Sequence, residues 1–221
     1  MKSIANKPPA GIFVTGTDTE IGKTFVSCWE LTRMRAKGIR VGAYKPVASG
    51  SESIDTSDAY RLWQASGTQL PIERVNPQSF IAPLAPPIAA ELENRIVDED
   101  RIIDGVEAWT NNCDFLLIEG AGGLLSPISW NSTNADLAEK IGYPLWVVAP
   151  NRLGVVHQIL STITVAISRG LLVQTLYLNN LDAQSTHLAA SSNTRLLAPF
   201  LKRLSPHTQI ESIPFINLER E

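Results

Sequence analysis

Nine consecutive residues, Gly16-Thr17-Asp18-Thr19-Glu20-Ile21-Gly22-Lys23-Thr24, constrain this chain more than any others. They follow an apolar run over 11–15 and open into a helical pattern of apolar residues. Strand, glycine-bounded turn and helix in that order read as a phosphate-binding loop. Its glycines let the backbone curl until successive amides face phosphate oxygens at a helix N-terminus. Lys23 adds positive charge, and Thr24 offers its hydroxyl to Mg²⁺. Five residues rather than four separate Gly16 from Gly22, so the loop is a variant of the common spacing. The candidate nucleotide contacts are Glu20, Ile21, Gly22, Lys23, Thr24 and Phe25.

What surrounds the loop has an α/β rhythm. Short apolar runs at 11–15, 39–45, 115–119, 145–150, 173–179 and 209–214 read as strands, and their continuous apolarity suits strands covered on both faces. Amphipathic stretches at 22–36, 56–66, 100–110, 135–141, 155–169 and 192–204 read as helices. Within the third of these, Ile102, Ile103, Val106 and Trp109 form a core stripe. Five prolines between Pro71 and Pro87 predict a loop there. The expectation is one domain over 1–221: a single P-loop NTPase-like unit with a doubly wound, mostly parallel sheet, helices on both faces, and ligands at the carboxyl ends of the strands.

Composition narrows the function. A formal net charge of −3 gives no basic footprint for nucleic acid and no polybasic membrane patch. The two cysteines, Cys28 and Cys113, are far apart without Cys-x-x-Cys pairing, which suits a reducing compartment and small core side chains better than a metal framework. No apolar segment follows the N-terminal lysines, and no run reaches membrane-span length, so a cytoplasmic location is the default expectation. The triplet Asn131-Ser132-Thr133 is read as a chance match to a glycosylation signal.

Polar residues close several of the strands. Lys45 ends the second and leads into Pro46-Val47-Ala48-Ser49-Gly50, small residues that admit close backbone approach; alone it is also an ordinary solvated lysine. Beside Lys23 it would grip a transferring phosphoryl group from a second side. Glu119 ends the third and precedes Gly120-Ala121-Gly122-Gly123, where a buried carboxylate calls for a divalent ion, unless the segment is a glycine turn with a solvated glutamate. Asp58 starts a helix and is a second carboxylate candidate, although the helix dipole alone accounts for an aspartate there. His157 lies in the first turn of the helix opening near Val155, with no nucleophile partner; that helix N-terminus is itself suited to a carboxylate.

Three segments in order, Val14 to Thr24, Tyr44 to Gly50 and Ile118 to Gly123, make the chain resemble the dethiobiotin synthetases from Gly11 to about Phe215. That family has the same extra loop residue. The resemblance implies an ATP-dependent reaction of 7,8-diaminononanoate and CO2 through a carbamate and its phosphoric anhydride. It implies that Lys23 and Lys45 act on carbamate and phosphoryl oxygens and that Ser49 lies near the substrate amine. It implies Mg²⁺ on Thr24, Asp58 and Glu119, ATP along the loop and on Gly120, Ala121 and Gly122, and adenine facing Asn179, Pro214 and Phe215. It further implies a homodimer, the substrate carboxylate meeting Val155, Val156 and His157 of the partner chain. This chain departs from the family at Val155-Val156-His157, which lacks an asparagine, at Asn179-Asn180 in place of Asn-Asp, and near Ser191-Ser192, which lacks a tyrosine.

Two other classes share parts of the pattern. Partitioning-type switch ATPases place a signature lysine where this chain has Asp18, and use a basic C-terminal amphipathic helix that 217–221 does not resemble. Amide-forming ligases of cobalamin synthesis carry an extra glutamine-hydrolysing domain, for which neither the length nor Cys113 speaks.

Overall fold

A computed structural model of the chain describes residues 9–51, 53–181 and 189–215. The segments weighed above for a leader and for a C-terminal basic helix, 1–8 and 217–221, lie outside the described residues. The strands are β1 (Ala10–Gly16), β2 (Val41–Tyr44), β3 (Val47–Ser49), β4 (Gln78–Phe80), β5 (Phe115–Gly123), β6 (Leu145–Pro150), β7 (Val173–Asn179) and β8 (Gln209–Ile213). The helices are α1 (Lys23–Ala36), α2 (Asp58–Ser66), α3 (Ile72–Val75), α4 (Pro86–Leu92), α5 (Glu99–Glu107), α6 (Asn134–Ile141), α7 (Val155–Ser168) and α8 (Ala189–Leu204).

Six strands form one parallel sheet in the order β2-β5-β1-β6-β7-β8. The chain moves outward from β1 to β2 and in the opposite direction from β5 to β8, and crossovers of the usual right hand, run in both directions, place helices on both faces of such a sheet. Residues 116–118, 145–149 and 176–178 are buried throughout, as strands covered twice require. Ile102 and Trp109 are fully buried with Ile103 and Val106 packed beside them, so the apolar stripe is core as expected. Cys28 and Cys113 are unbridged. No described helix is long and apolar enough to cross a membrane.

The 71–87 segment departs from the expected loop: it holds α3, β4 and the start of α4. The prolines begin elements rather than prevent them. Pro71 precedes α3, and Pro86 and Pro87 occupy the first turn of α4, where a missing amide hydrogen costs nothing. β4 pairs in parallel with β3 as a second, two-stranded sheet beside the site. The second predicted strand is also shorter than expected, because Lys45 leaves the sheet and donates its backbone N–H to Val75 O at 2.7 Å.

After β5 the chain turns through 124–133 and is stopped by a capping box. Thr133 accepts from the Asp136 amide, and Asp136 Oδ2 accepts from Thr133 N at 2.7 Å and Thr133 Oγ1 at 2.6 Å. Its Oδ1 accepts from Arg169 Nη2 at 2.7 Å. These bonds, Arg169 first, hold the Asp136 carboxyl well below the usual aspartate value of 3.8. A depressed carboxylate stabilises the fold above its unfolded pKa, and that stability disappears as the pH falls through its folded value. Asp136→Asn is therefore expected to lower stability at pH 7 by about 1 kcal/mol, the scale of a lost cap. In urea melts the difference from the parent should shrink steadily below pH 4; an equal difference at pH 7 and pH 2 would disprove the assignment.

Candidate functional site

The phosphate-binding loop spans the gap from β1 to α1. Thr17 N donates to Val148 O at 3.0 Å, fastening it to β6. Gly22, with φ 83°, is the helix cap and leaves the first-turn amides of α1 without a side-chain cap, open to an anion. A Cβ at Gly22 would strike the Asn179 amide, which donates from Nδ2 to Ile21 O at 3.0 Å. Asn179 thus closes β7 against the loop. Lys23 folds across the loop and donates to the Asp18 carbonyl at 3.0 Å. Burial, then repulsion from Lys45, lowers its pKa to about 8 against the pull of Glu119, Asp58 and Asp18.

Glu119 is the centre of the site and is 0% exposed. Its Oε1 accepts from Thr24 Oγ1 and from Lys45 Nζ, both at 2.7 Å, and its Oε2 accepts from Ser27 Oγ at 2.7 Å. The Lys45 side chain is 6% exposed, and its Nζ lies 3.7 Å from Asp58 Oδ2. Burial alone would push this ammonium down, but Glu119 and then Asp58 outweigh it and hold the pKa above the ordinary lysine value. The Asp58 side chain is 48% exposed. Capping of α2 falls to Ser57, whose Oγ accepts from Tyr60 N at 3.1 Å, so the Asp58 carboxylate is free to face Lys45.

The sequence places Glu119 at a strand end before a glycine turn; the structure instead runs β5 on to Gly123, with a register shift against β1 between Val14 and Gly16. Glu119 is consequently held inside the sheet. Gly120, Ala121 and Gly122 extend it, backed by Asn134, which donates from Nδ2 to Ala121 O at 2.7 Å and Gly123 O at 2.8 Å. A Cβ at Gly120 would lie 2.6 Å from Asn134 Oδ1, which explains the glycine.

Lys23, Thr24, Lys45, Asp58 and Glu119 therefore converge. Pro214 and Phe215 leave the sheet just after Ile213, which pairs with Asn179. Ser49 ends β3 and donates its hydroxyl to Leu84 O at 2.7 Å. At the start of α7, Val155 is buried, Val156 half-buried and His157 exposed, behind Gly154 with φ 87° and no side-chain cap. Among the described residues, neither Ser49 nor these three hydrogen-bond to the charged cluster. Glu20 is exposed in left-handed backbone at φ 54°, and Phe25 is half-buried. Sequence reading missed Ser27 and Asn134. Ser27 follows Thr24 by three residues on the same helix face, a spacing that carries the signal; Asn134 offers none.

The Glu119, Asp58 and Thr24 oxygens form a hard donor set of two carboxylates and one hydroxyl. That set fits Mg²⁺, which retains waters and accepts phosphate oxygens rather than needing a full protein cage. No three His, Cys, Asp or Glu among the described residues form such a cage.

A family model described as an AAA domain matches residues 10–212. The chain is 45% identical over 185 residues to the ATP-dependent dethiobiotin synthetase BioD of Rhodopirellula baltica, an alignment covering 77% of this chain and 72% of that one. It is 41% identical over 189 residues to the enzyme of the same name from Anaeromyxobacter dehalogenans, covering 84% and 85%. Among solved structures, hydrogenase maturation factor HypB from Archaeoglobus fulgidus superposes with a TM-score of 0.55 at 14% identity, covering 93% of this chain and 81% of that one, a likeness of fold.

Removing one member of a buried ion pair strands the other charge, typically at a cost of about 3 kcal/mol or more. Urea unfolding of ligand-free Lys45→Met should register that loss. In Lys45→Met/Glu119→Gln the loss should be smaller than the sum of the two single changes; strict additivity would mean the charges do not interact.

Proposed function

The chain belongs to the ATP-dependent dethiobiotin synthetases, and we propose that it performs their ring closure on 7,8-diaminononanoate, joining CO2 to its two amines at the expense of ATP and releasing ADP and phosphate. The observation that carries this reading is the buried Lys45–Glu119 ion pair, with Thr24 on the same carboxylate oxygen, set beside Lys23 of the phosphate-binding loop. One substrate amine captures CO2 as a carbamate, ATP phosphorylates the carbamate oxygen, and the second amine attacks the mixed anhydride and expels phosphate. Each step gathers negative charge on oxygens that two fixed ammonium groups can share.

In this reading Glu20, Ile21, Gly22, Lys23, Thr24 and Phe25 receive the ATP phosphates, Gly120, Ala121 and Gly122 border them, and Asn179, Pro214 and Phe215 receive adenine. Thr24, Asp58 and Glu119 would hold Mg²⁺, which when bound supplies neutralisation of phosphate charge. Lys45 is neutralised by Glu119 in the ligand-free chain, so arriving carbamate and phosphoryl oxygens compete for an ammonium already held at the right place. Ser49 orients the substrate amine. Val155, Val156 and His157 receive its carboxylate from a second copy of the chain, and the exposure of Gly154 and His157 supports a site that a neighbour completes. The unit is one ligase domain acting in the cytoplasm on small molecules, with no role for nucleic acid or membrane.

ATP turnover measured with and without diaminononanoate plus bicarbonate tests the reading. Diamine-dependent turnover is expected, whereas a partitioning-type switch ATPase would hydrolyse ATP regardless of the diamine. Lys45→Gln should lower kcat by roughly 10²-fold or more, the scale for one preorganised charge, with a far smaller change in the KM for ATP. Glu119→Gln should shift the Mg²⁺ titration of turnover; a curve that overlays the parent's would remove Glu119 from the metal set. Mixed dimers of Lys45→Gln and His157→Ala subunits should recover activity at the interface that keeps both halves intact. No recovery from verified heterodimers, with a fully active monomeric parent, would exclude a shared site.

A further inference from the structure

Next to the charged centre runs a second polar assembly that takes no part in the chemistry above. Asn151, Asn180 and Asn193 are all buried, at the ends of β6 and β7 and in α8. Asn193 Nδ2 donates to Asn151 Oδ1 at 2.9 Å, Asn151 Nδ2 donates to Asn180 Oδ1 at 3.0 Å, and Asn180 Nδ2 donates to Ile213 O at 2.6 Å. The chain has only one possible direction. A carbonyl can only accept, so Asn180 must present its NH2 to Ile213 and its oxygen to Asn151, and the same choice passes on to Asn193. Asn193 Nδ2 also meets the Arg152 carbonyl at 3.2 Å, and Asn180 Nδ2 the Ser212 hydroxyl at 3.3 Å.

The ends of this chain decide what it does. Ile213 immediately precedes Pro214 and Phe215. Asn180 immediately follows Asn179, whose amide holds Ile21 of the phosphate-binding loop. The amide chain therefore fixes the 213–215 segment at a set distance from the loop. It uses three neutral groups that can be buried without the cost of a charge, and every one is engaged as both donor and acceptor or anchored on backbone.

We infer that Asn151, Asn180 and Asn193 are positioning residues for the nucleoside, setting the gap between Asn179 and Phe215 and so the preference for a purine over a smaller base. This rests on the reading that places adenine at Asn179, Pro214 and Phe215. The phosphate end is anchored separately: Lys23 is held at the Asp18 carbonyl and the loop is fastened to β6 by Thr17 N and Val148 O, bonds in which none of the three asparagines takes part.

The test is equilibrium binding of ATP, CTP and inorganic tripolyphosphate, each with Mg²⁺, to the parent, Asn193→Leu, Asn180→Ala and Phe215→Ala. Loss of one or two hydrogen bonds predicts that both asparagine variants bind ATP about 5- to 10-fold more weakly and lose ATP-over-CTP discrimination by the same factor, while tripolyphosphate binding is unchanged. Among the described residues Asn193 donates to Asn151 and to the Arg152 carbonyl, away from Ile213, so Asn193→Leu serves if Asn180→Ala does not fold. If Phe215→Ala lowers the ATP-to-CTP ratio and folded asparagine variants do not, the inference is wrong and the adenine reading stands. Equal weakening of ATP and tripolyphosphate would mean general loosening and also overturn it. An unselective parent, unaffected by Phe215→Ala, would remove the adenine reading and this inference together. Failure of every asparagine variant to fold would make the chain a folding element, which overturns a positioning role.

Discussion

The ion pair between Lys45 and Glu119 is the interaction on which the rest of the site depends. Burying either charge alone would be prohibitive, since a carboxylate taken out of water must be paired or lose its charge. Glu119 has a complete set of partners: Lys45 and Thr24 on one oxygen, Ser27 on the other. Those partners come from the end of β2 and from two turns of α1, while Glu119 itself lies in β5. A single carboxylate thus ties together the edge strand β2, its neighbour β5 and the helix behind the phosphate-binding loop. With its second carboxylate neighbour Asp58 at 3.7 Å, Lys45 also draws α2 toward the same point.

Around that charged centre the frame is made of amides. Asn134 holds the Ala121 and Gly123 carbonyls, Asn179 holds Ile21, and Asn180 holds Ile213. The carboxyl ends of a parallel sheet expose carbonyls and amides that the next strand no longer satisfies, and each must find a partner when buried. An asparagine donates and accepts through one short planar group, so it can serve both needs at once without adding a charge. Around the loop the charges gather on Lys23, Lys45, Asp58 and Glu119. Structural closure falls to neutral groups, so the field over the loop is set by few residues.

The legible parts of this architecture were local. The loop motif, the apolar strands and the helix starts depend on neighbours in sequence, and they fall within a few residues of expectation. Lys23, Thr24, Lys45 and Asp58 drew notice because each sits at a strand end or helix start, the places where an α/β sheet binds ligands, and Glu119 because its strand was read as ending there. The extent of β5 was not legible. Three glycines read as a turn, yet here they continue a strand because Asn134, eleven or more residues further along the chain, replaces the missing side chains with hydrogen bonds. The two-stranded β3–β4 sheet was equally hidden, since each strand has three residues and its partner lies beyond α2 and α3. The asparagine chain joins residues 29 and 42 positions apart, a coincidence that periodicity cannot reveal.

The site also divides into a finished half and an open one. Glu119, Lys45 and Thr24 are buried and bonded to one another, and buried Lys23 is held at the Asp18 carbonyl, which is the condition for electrostatic help that needs no reorganisation. Phe215, Asp58, Gly154 and His157 stand toward solvent. Buried, fixed charges cannot adapt to the shape of a substrate, whereas exposed residues gain their surroundings only when something covers them. In the function proposed above, charge stabilisation would belong to the single chain, and recognition of the ligand's outer parts to surfaces that become complete on binding. A change at the centre should alter how well the transition state is held. One at the open rim should act first on which molecule is held at all, because it meets atoms that do not change charge as the reaction proceeds.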